Sequence, residues 1–223
     1  MLDFSVRPDE VVVPPELPVI LHGLRDWLGG ALALISGRKL ADIERLFGPG
    51  IAAAAEHGAL MRGADGKVIT ETNPHPALAA MAVPLRAAIA ARPGTLLEEK
   101  RFGLVLHWRG APEMAEELAA FGRELAAPYP ELMLLPAHEA MEIRPRGTDK
   151  GVALNTLMAA PPFAGRRPVF IGDDTTDEPA IARANEMGGS GLHVARDFGG
   201  STQAVRAWLT ETLERERAGD ATI

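Results

Sequence analysis

Apolar positions along the chain gather into short runs separated by Gly-, Pro- and Asp-rich turns. Residues 31–35, 51–55 and 169–171 are such runs, with the length of buried strands. Helical spacing appears over residues 17–27, through Leu40, Ile43, Leu46 and Phe47, and again over 152–157, 176–186 and 201–215. Residues 191–194 supply a last short strand. Strand and helix alternate in these parts, the order of βα units in a parallel sheet. Asp65-Gly66, between short flanks over 60–69, predicts a hairpin.

The texture changes at Asn73. A helix is expected over 77–92, interrupted or kinked at Pro84. Strands are expected over 95–98 and 102–108, then a helix over 112–125, then strands over 132–135 and 140–143. Phe102, Leu104, Leu106 and Trp108 alternate with Gly103, Val105 and His107, so one sheet face is apolar. This β-β-α-β-β block predicts an α+β insertion in an α/β protein with a Rossmann-like parallel-sheet core. Residues 1–72 and 144–223 make the core, and 73–143 the inserted domain.

A formal net charge of −7 argues against broad binding to nucleic acid or an anionic membrane. No run approaches the roughly 20 apolar residues of a membrane span. The first ten residues lack the apolar stretch of a signal peptide. There are no cysteines, which excludes disulfides, thiolate metal sites and a cysteine nucleophile. A cytoplasmic monomer with a small-molecule partner is the expectation.

Chemistry concentrates where predicted strands end. After the apolar run at 169–171 stand Gly172, Asp173, Asp174, Asp177 and Glu178, four carboxylates within six residues. Oxygen donors crowded at a strand end suit Mg²⁺, which takes a few carboxylates plus water and often a substrate phosphate. A helix N-terminus also attracts acids, but one capping Asp would satisfy it. Ser36 follows the run at 31–35 beside a helix N-terminus that favours anions, and taken alone it reads as an N-cap. Lys150 stands near a helix start, where positive charge opposes the dipole unless it faces an anion. His57, a lone histidine, reads as structural. Hydroxyl, amine and carboxylates at successive βα junctions form a complement for phosphoryl transfer, in which positioning and charge neutralisation do most of the work.

The order Ser36-Gly37-Arg38, then Arg144-Pro145-Arg146-Gly147 with Lys150-Gly151, then Gly172–Glu178, resembles the haloacid-dehalogenase-like phosphohydrolases. More narrowly, Glu56-His57-Gly58, Glu98-Glu99-Lys100, His107-Trp108-Arg109 and Glu142-Ile143-Arg144-Pro145 resemble the trehalose-6-phosphate phosphatases, over nearly the whole chain. The resemblance implies Mg²⁺-dependent hydrolysis of trehalose 6-phosphate, the last step of trehalose biosynthesis, with residues 73–143 as an α/β cap. It implies that Ser36 holds the phosphoryl group, with Arg38 on the substrate side, and that Lys150 neutralises nucleophile and phosphate. Asp173 would ligate Mg²⁺ directly, Asp174 would support it, and Asp177 would act behind them. Glu98, Lys100, Arg109 and Glu142 would grip the glucose units; by themselves these charges read as a salt-bridged sheet face.

The family's nucleophile and general acid lie in an Asp-x-Asp-Gly-Thr loop after the first, central strand. That sequence does not occur in the 223 residues. Residues 1–8 resemble the segment that normally lies just after the loop, so the chain is expected to begin a few residues late, with the loop encoded in frame upstream. Asp3, Asp9 and Glu10 do not replace it. The alternatives are a non-catalytic truncated protein that binds a sugar phosphate, or a phosphatase for sucrose phosphate or a phosphoglycerate glycoside.

Overall fold

In the first βα unit, α1 (Glu16–Trp27) leads into β1 (Ala33–Ile35), and α2 (Leu40–Phe47) carries the chain to β2 (Ala52–Ala55). The computed structural model describes residues 11–217; the predicted segment 1–8, with Asp3, and Asp9 and Glu10 lie outside them. Strands β1 and β2 pair in parallel, with Ala33 opposite Ala52 and Ile35 opposite Ala54. Strands β3 (Leu60–Arg62) and β4 (Val68–Glu71) then add antiparallel, in the order β1-β2-β3-β4.

The chain next forms α3 (Pro76–Ala90), β5 (Leu96–Glu99), β6 (Leu104–His107), α4 (Ala115–Ala126), β7 (Leu132–Ala137) and β8 (Ala140–Pro145). It returns through α5 (Lys150–Met158), β9 (Val169–Gly172), α6 (Glu178–Glu186), β10 (Ser190–His193), the short α7 (Val194–Asp197) and α8 (Thr202–Arg217). Two compact units result, residues 11–71 with 148–217 and residues 72–147.

In the first unit β9 and β10 form a second parallel pair, Val169 opposite Ser190 and Gly172 opposite His193. Among the described residues this pair does not hydrogen-bond to the β1–β2 pair, so the parallel strands make two sheets rather than one. The helices nevertheless span both pairs. On one face Ile35 packs with Leu157 and Ala153 of α5, and also with Leu154 of α5 and Phe170 of β9. On the other face Leu34, Ala53 and Ala55 share a cluster with Leu17, Leu21 and Leu24 of α1 and Val205 and Leu209 of α8, and Ile171 packs against it. Strand β2 is four alanines, each 0% exposed, squeezed between those two layers.

The second unit is an antiparallel sheet in the order β5-β6-β8-β7 with α3 and α4 on one face. Leu104 and Leu106, with Met141 and Ile143, point into the core beside Leu78, Met81 and Leu85 of α3. Of the expected interruption or kink at Pro84, an interruption is not found: α3 continues through it. Packing of Leu78, Met81, Ala82 and Leu85 holds the helix together against the loss of one backbone bond. No helix among the described residues is long and apolar enough to cross a membrane.

Candidate active site

Three turns of the first unit carry the predicted phosphate-side residues. The first follows β1. The Ser36 amide donates to Ala54 O (2.9 Å), continuing the β1–β2 ladder one residue beyond the strand. The chain then reverses, and the Arg38 amide donates to Ser36 Oγ at 3.2 Å. A side-chain oxygen bonded two residues on is an ST-type turn, so Ser36 shapes this loop rather than capping α2. The residue before α2 is Lys39, whose side chain makes no capping bond.

The second turn opens α5. Asp149 is its N-cap and accepts from the Val152 amide at 2.8 Å. The one signal for this cap in the sequence is an Asp three residues before Val152, the first apolar helix position, and the neighbouring Lys150 obscures it. With Asp149 as cap, Lys150 becomes the first helical residue, two positions earlier than expected. It is 8% exposed, and its ammonium faces an anion: Nζ donates to Asp177 Oδ1 at 2.6 Å.

The third turn follows β9. Asp177, 4% exposed, commits its second oxygen to the backbone: Oδ2 accepts from the amides of Asp173 and Asp174, both at 3.1 Å. Asp174 Oδ1 accepts from the Thr175 amide (2.6 Å). Its side chain also accepts from the Asp177 amide while Asp177 accepts from the Asp174 amide, a capping box over the single turn Thr175–Asp177. The acids are thus not all free for a ligand, as crowding alone suggests. Two of them build the loop, and Glu178 lies 3.5 Å from Arg196. Asp173 is left exposed, with no side-chain partner among the described residues. Gly172 lets Asp177 come this close, since a Cβ there would overlap the Asp177 side chain.

The residues fit a Mg²⁺ ion of one kind only. Asp173 and Asp174 are hard oxygen donors at a strand end, but no group of three His, Asp or Glu donors occurs among the described residues. Such a set suits an ion that keeps several waters and borrows substrate oxygens, not an all-protein cage.

The second unit holds the other predicted residues on the sheet face opposite α3 and α4, where alternation with Leu104, Leu106, Met141 and Ile143 puts them. Lys100 Nζ meets Glu142 Oε1 at 3.0 Å, with only 9% of each side chain exposed. Glu98 Oε2 meets His107 Nε2 at 3.1 Å. Arg109 Nε donates to Glu139 Oε2 at 2.9 Å. The face is salt-bridged, as its charges alone predict, but the Lys100–Glu142 pair is buried rather than exposed. Glu139 is absent from the sequence-based candidates. It stands in the β7–β8 turn with φ 52°, a left-handed conformation that Glu rarely adopts, so nothing in the sequence marks it.

Comparison with known proteins shows which family the chain belongs to. The family model described as "Trehalose-phosphatase" matches residues 1–209. The chain belongs to the trehalose-phosphatase family. Within that family, the "Trehalose-6-phosphate phosphatase" of Escherichia coli (strain K12) is 37% identical over 230 residues, spanning 97% of this chain and 85% of that protein. A "Probable trehalose-phosphate phosphatase" of Sinorhizobium fredii (strain NBRC 101917 / NGR234) is 39% identical over 198 residues, spanning 87% of this chain and 74% of its own length. The fold is shared with the C-terminal domain of the C. albicans trehalose-6-phosphate phosphatase, at a TM-score of 0.71 and 23% identity over 83% of this chain and 70% of that one. It is shared too with a haloacid dehalogenase-like hydrolase from Bacteroides thetaiotaomicron, at a TM-score of 0.57 and 13% identity over 89% of both chains. As a trehalose-phosphatase family member, the chain has the α/β fold with parallel strands that its sequence predicts.

Proposed function

We propose that these residues serve the Mg²⁺-dependent hydrolysis of trehalose 6-phosphate to trehalose and inorganic phosphate. The observation that supports this best is the buried Lys150–Asp177 pair. It fixes the loop after β9 through two amides and leaves the Asp173 carboxylate exposed at the strand's C-terminal end. Ligands of open α/β sheets bind at that end.

Ser36 then donates its hydroxyl hydrogen to a phosphoryl oxygen while its Oγ keeps the Arg38 amide. Lys150 supplies fixed positive charge, held in place by Asp177 so that it need not reorganise as charge moves. Asp173, with Asp174 beside it, would hold Mg²⁺, which supplies charge neutralisation for phosphate oxygens. On the sugar side, Glu98, Lys100, Arg109 and Glu142 offer charge-assisted hydrogen bonds to hydroxyls. Arg38, two residues after Ser36, would add a guanidinium on the substrate side. No Asp-x-Asp-Gly-Thr occurs in the 223 residues, so attack on phosphorus and protonation of the leaving oxygen are assigned to none of them.

Phosphate release from trehalose 6-phosphate in Mg²⁺ tests the proposal. Turnover is expected, and Asp173→Ala is expected to cut the rate by at least about 10²-fold with a weakened Mg²⁺ dependence. Faster turnover of sucrose phosphate or a phosphoglycerate glycoside would reject trehalose 6-phosphate as substrate. Binding without turnover would support a non-catalytic sugar-phosphate binder.

A further inference from the structure

We propose that His57 is a positioning residue for the phosphate turn, its buried imidazole forming the seat on which Ser36-Gly37-Arg38 rests. The inference deepens the reading of Ser36 as a phosphate-binding group and depends on it. Three consecutive residues after β2 lie in the left-handed region: Glu56 at φ 46°, His57 at φ 59° and Gly58 at φ 98°. Only the third is a glycine, so Glu56 and His57 hold this conformation against the ordinary preference of their backbones.

That backbone is bound to the phosphate turn. The Glu56 amide donates to Arg38 O at 3.0 Å, and the His57 amide donates to Ser36 O at 2.9 Å. With the Ser36 amide on Ala54 O, three successive bonds clamp the turn to the end of β2. The left-handed backbone also directs the His57 ring back under that turn. A Cβ built on Gly37 would lie 2.5 Å from His57 Nε2 and 2.8 Å from Cε1, so the ring occupies the space a side chain at position 37 would need.

On its other flank the loop meets α5. A Cβ on Gly58 would stand 2.9 Å from the Ala153 Cβ, one turn along from Lys150. His57 itself is 6% exposed, and its ring cannot swing away without opening the packing around it. The imidazole therefore sets the height of Gly37, and Gly37 sets where Ser36 Oγ points. Its role runs through Ser36, and it need not touch phosphate.

Orthophosphate binding by the full chain in the presence of Mg²⁺, followed by ³¹P NMR titration with thermal unfolding in parallel, tests this. Ser36→Ala and His57→Ala are each expected to weaken phosphate binding about ten-fold, the scale of one misdirected hydrogen bond to a charged group. The double variant should bind no more weakly than Ser36→Ala alone, because His57 acts through Ser36. His57→Gln, which keeps a planar polar group and protects against a variant that fails to fold, should recover part of the loss. If Ser36→Ala weakens binding and both His57 variants bind as the parent does, at whatever thermal midpoint, the inference fails while the phosphate reading stands. Additive losses in the double variant would overturn it as well. If Ser36→Ala leaves phosphate binding unchanged, the phosphate reading fails and takes this inference with it.

Discussion

Lys150 occupies the first position of a helix whose dipole disfavours it, and Asp177 makes that position tolerable. The pair is buried on both sides and the carboxylate also serves two backbone amides, so its removal leaves three donors unsatisfied. Asp177→Ala is expected to destabilise the fold by about 3–5 kcal/mol, the usual result of stripping one partner from a buried ion pair, measurable by urea denaturation. Glu139 should behave in the opposite way. Its φ of 52° favours glycine, and its ion pair with Arg109 is partly solvated, with 37% of the Glu139 side chain exposed. Glu139→Gly is expected to hold or raise stability by up to about 1 kcal/mol, since the relieved backbone outweighs a partly screened pair. A clear fall in the thermal midpoint would mean that the pair carries more than this. At Asp65 the carboxyl is held below its ordinary 3.8, chiefly by the Lys67 amide. A depressed acid stabilises its turn above the ordinary value and loses that contribution as pH falls through the lowered one. The Lys67 amide resonance should accordingly titrate below pH 3.8. Ser36, Lys150 and the Asp173–Asp177 acids stand out in the sequence because each lies in a run of chemically distinctive neighbours. Glu139 and the conformation of His57 do not, because what sets them apart is backbone geometry.

At the scale of elements, the alternation of apolar runs and helical spacing gives the order of strands and helices along the described chain. It misplaces ends where capping decides them. Asp149 starts α5 at Lys150, and the box of Asp174 and Asp177 holds α6 back to Glu178, where spacing alone begins it at 176. At Pro84 local propensity speaks for an interruption, while the apolar face of α3 speaks for continuing, and the helix continues. Strand β2 shows what periodicity cannot express. Its four alanines form a thin strand, and their size sets how closely α5 approaches from one side and α1 and α8 from the other. Ala53→Leu should cost about 1–3 kcal/mol by overpacking, visible in thermal unfolding. An unchanged midpoint would show slack in the layer around Ala53.

At the scale of the molecule, the described chain divides into residues 11–71 with 148–217 and residues 72–147, while the sequence changes from parallel-sheet to antiparallel texture near Asn73 and back near Arg144. The separation of the parallel strands into two pairs is less accessible, since hydrogen-bonded neighbours across a sheet leave no mark on spacing along the chain. Among the described residues, β1 pairs only with β2, and β9 only with β10. Each pair therefore ends in a row of amides and carbonyls that no described strand answers. Strand edges with no described partner can recruit strands from other molecules, and neither β1 nor β9 carries a proline or a charge to discourage it. The 223-residue chain should consequently be a poor colloid. Its scattering is expected to climb with concentration, and sedimentation velocity to show growing oligomers at millimolar but not micromolar protein. A chain that stayed monodisperse throughout would mean that those edges are already shielded in solution.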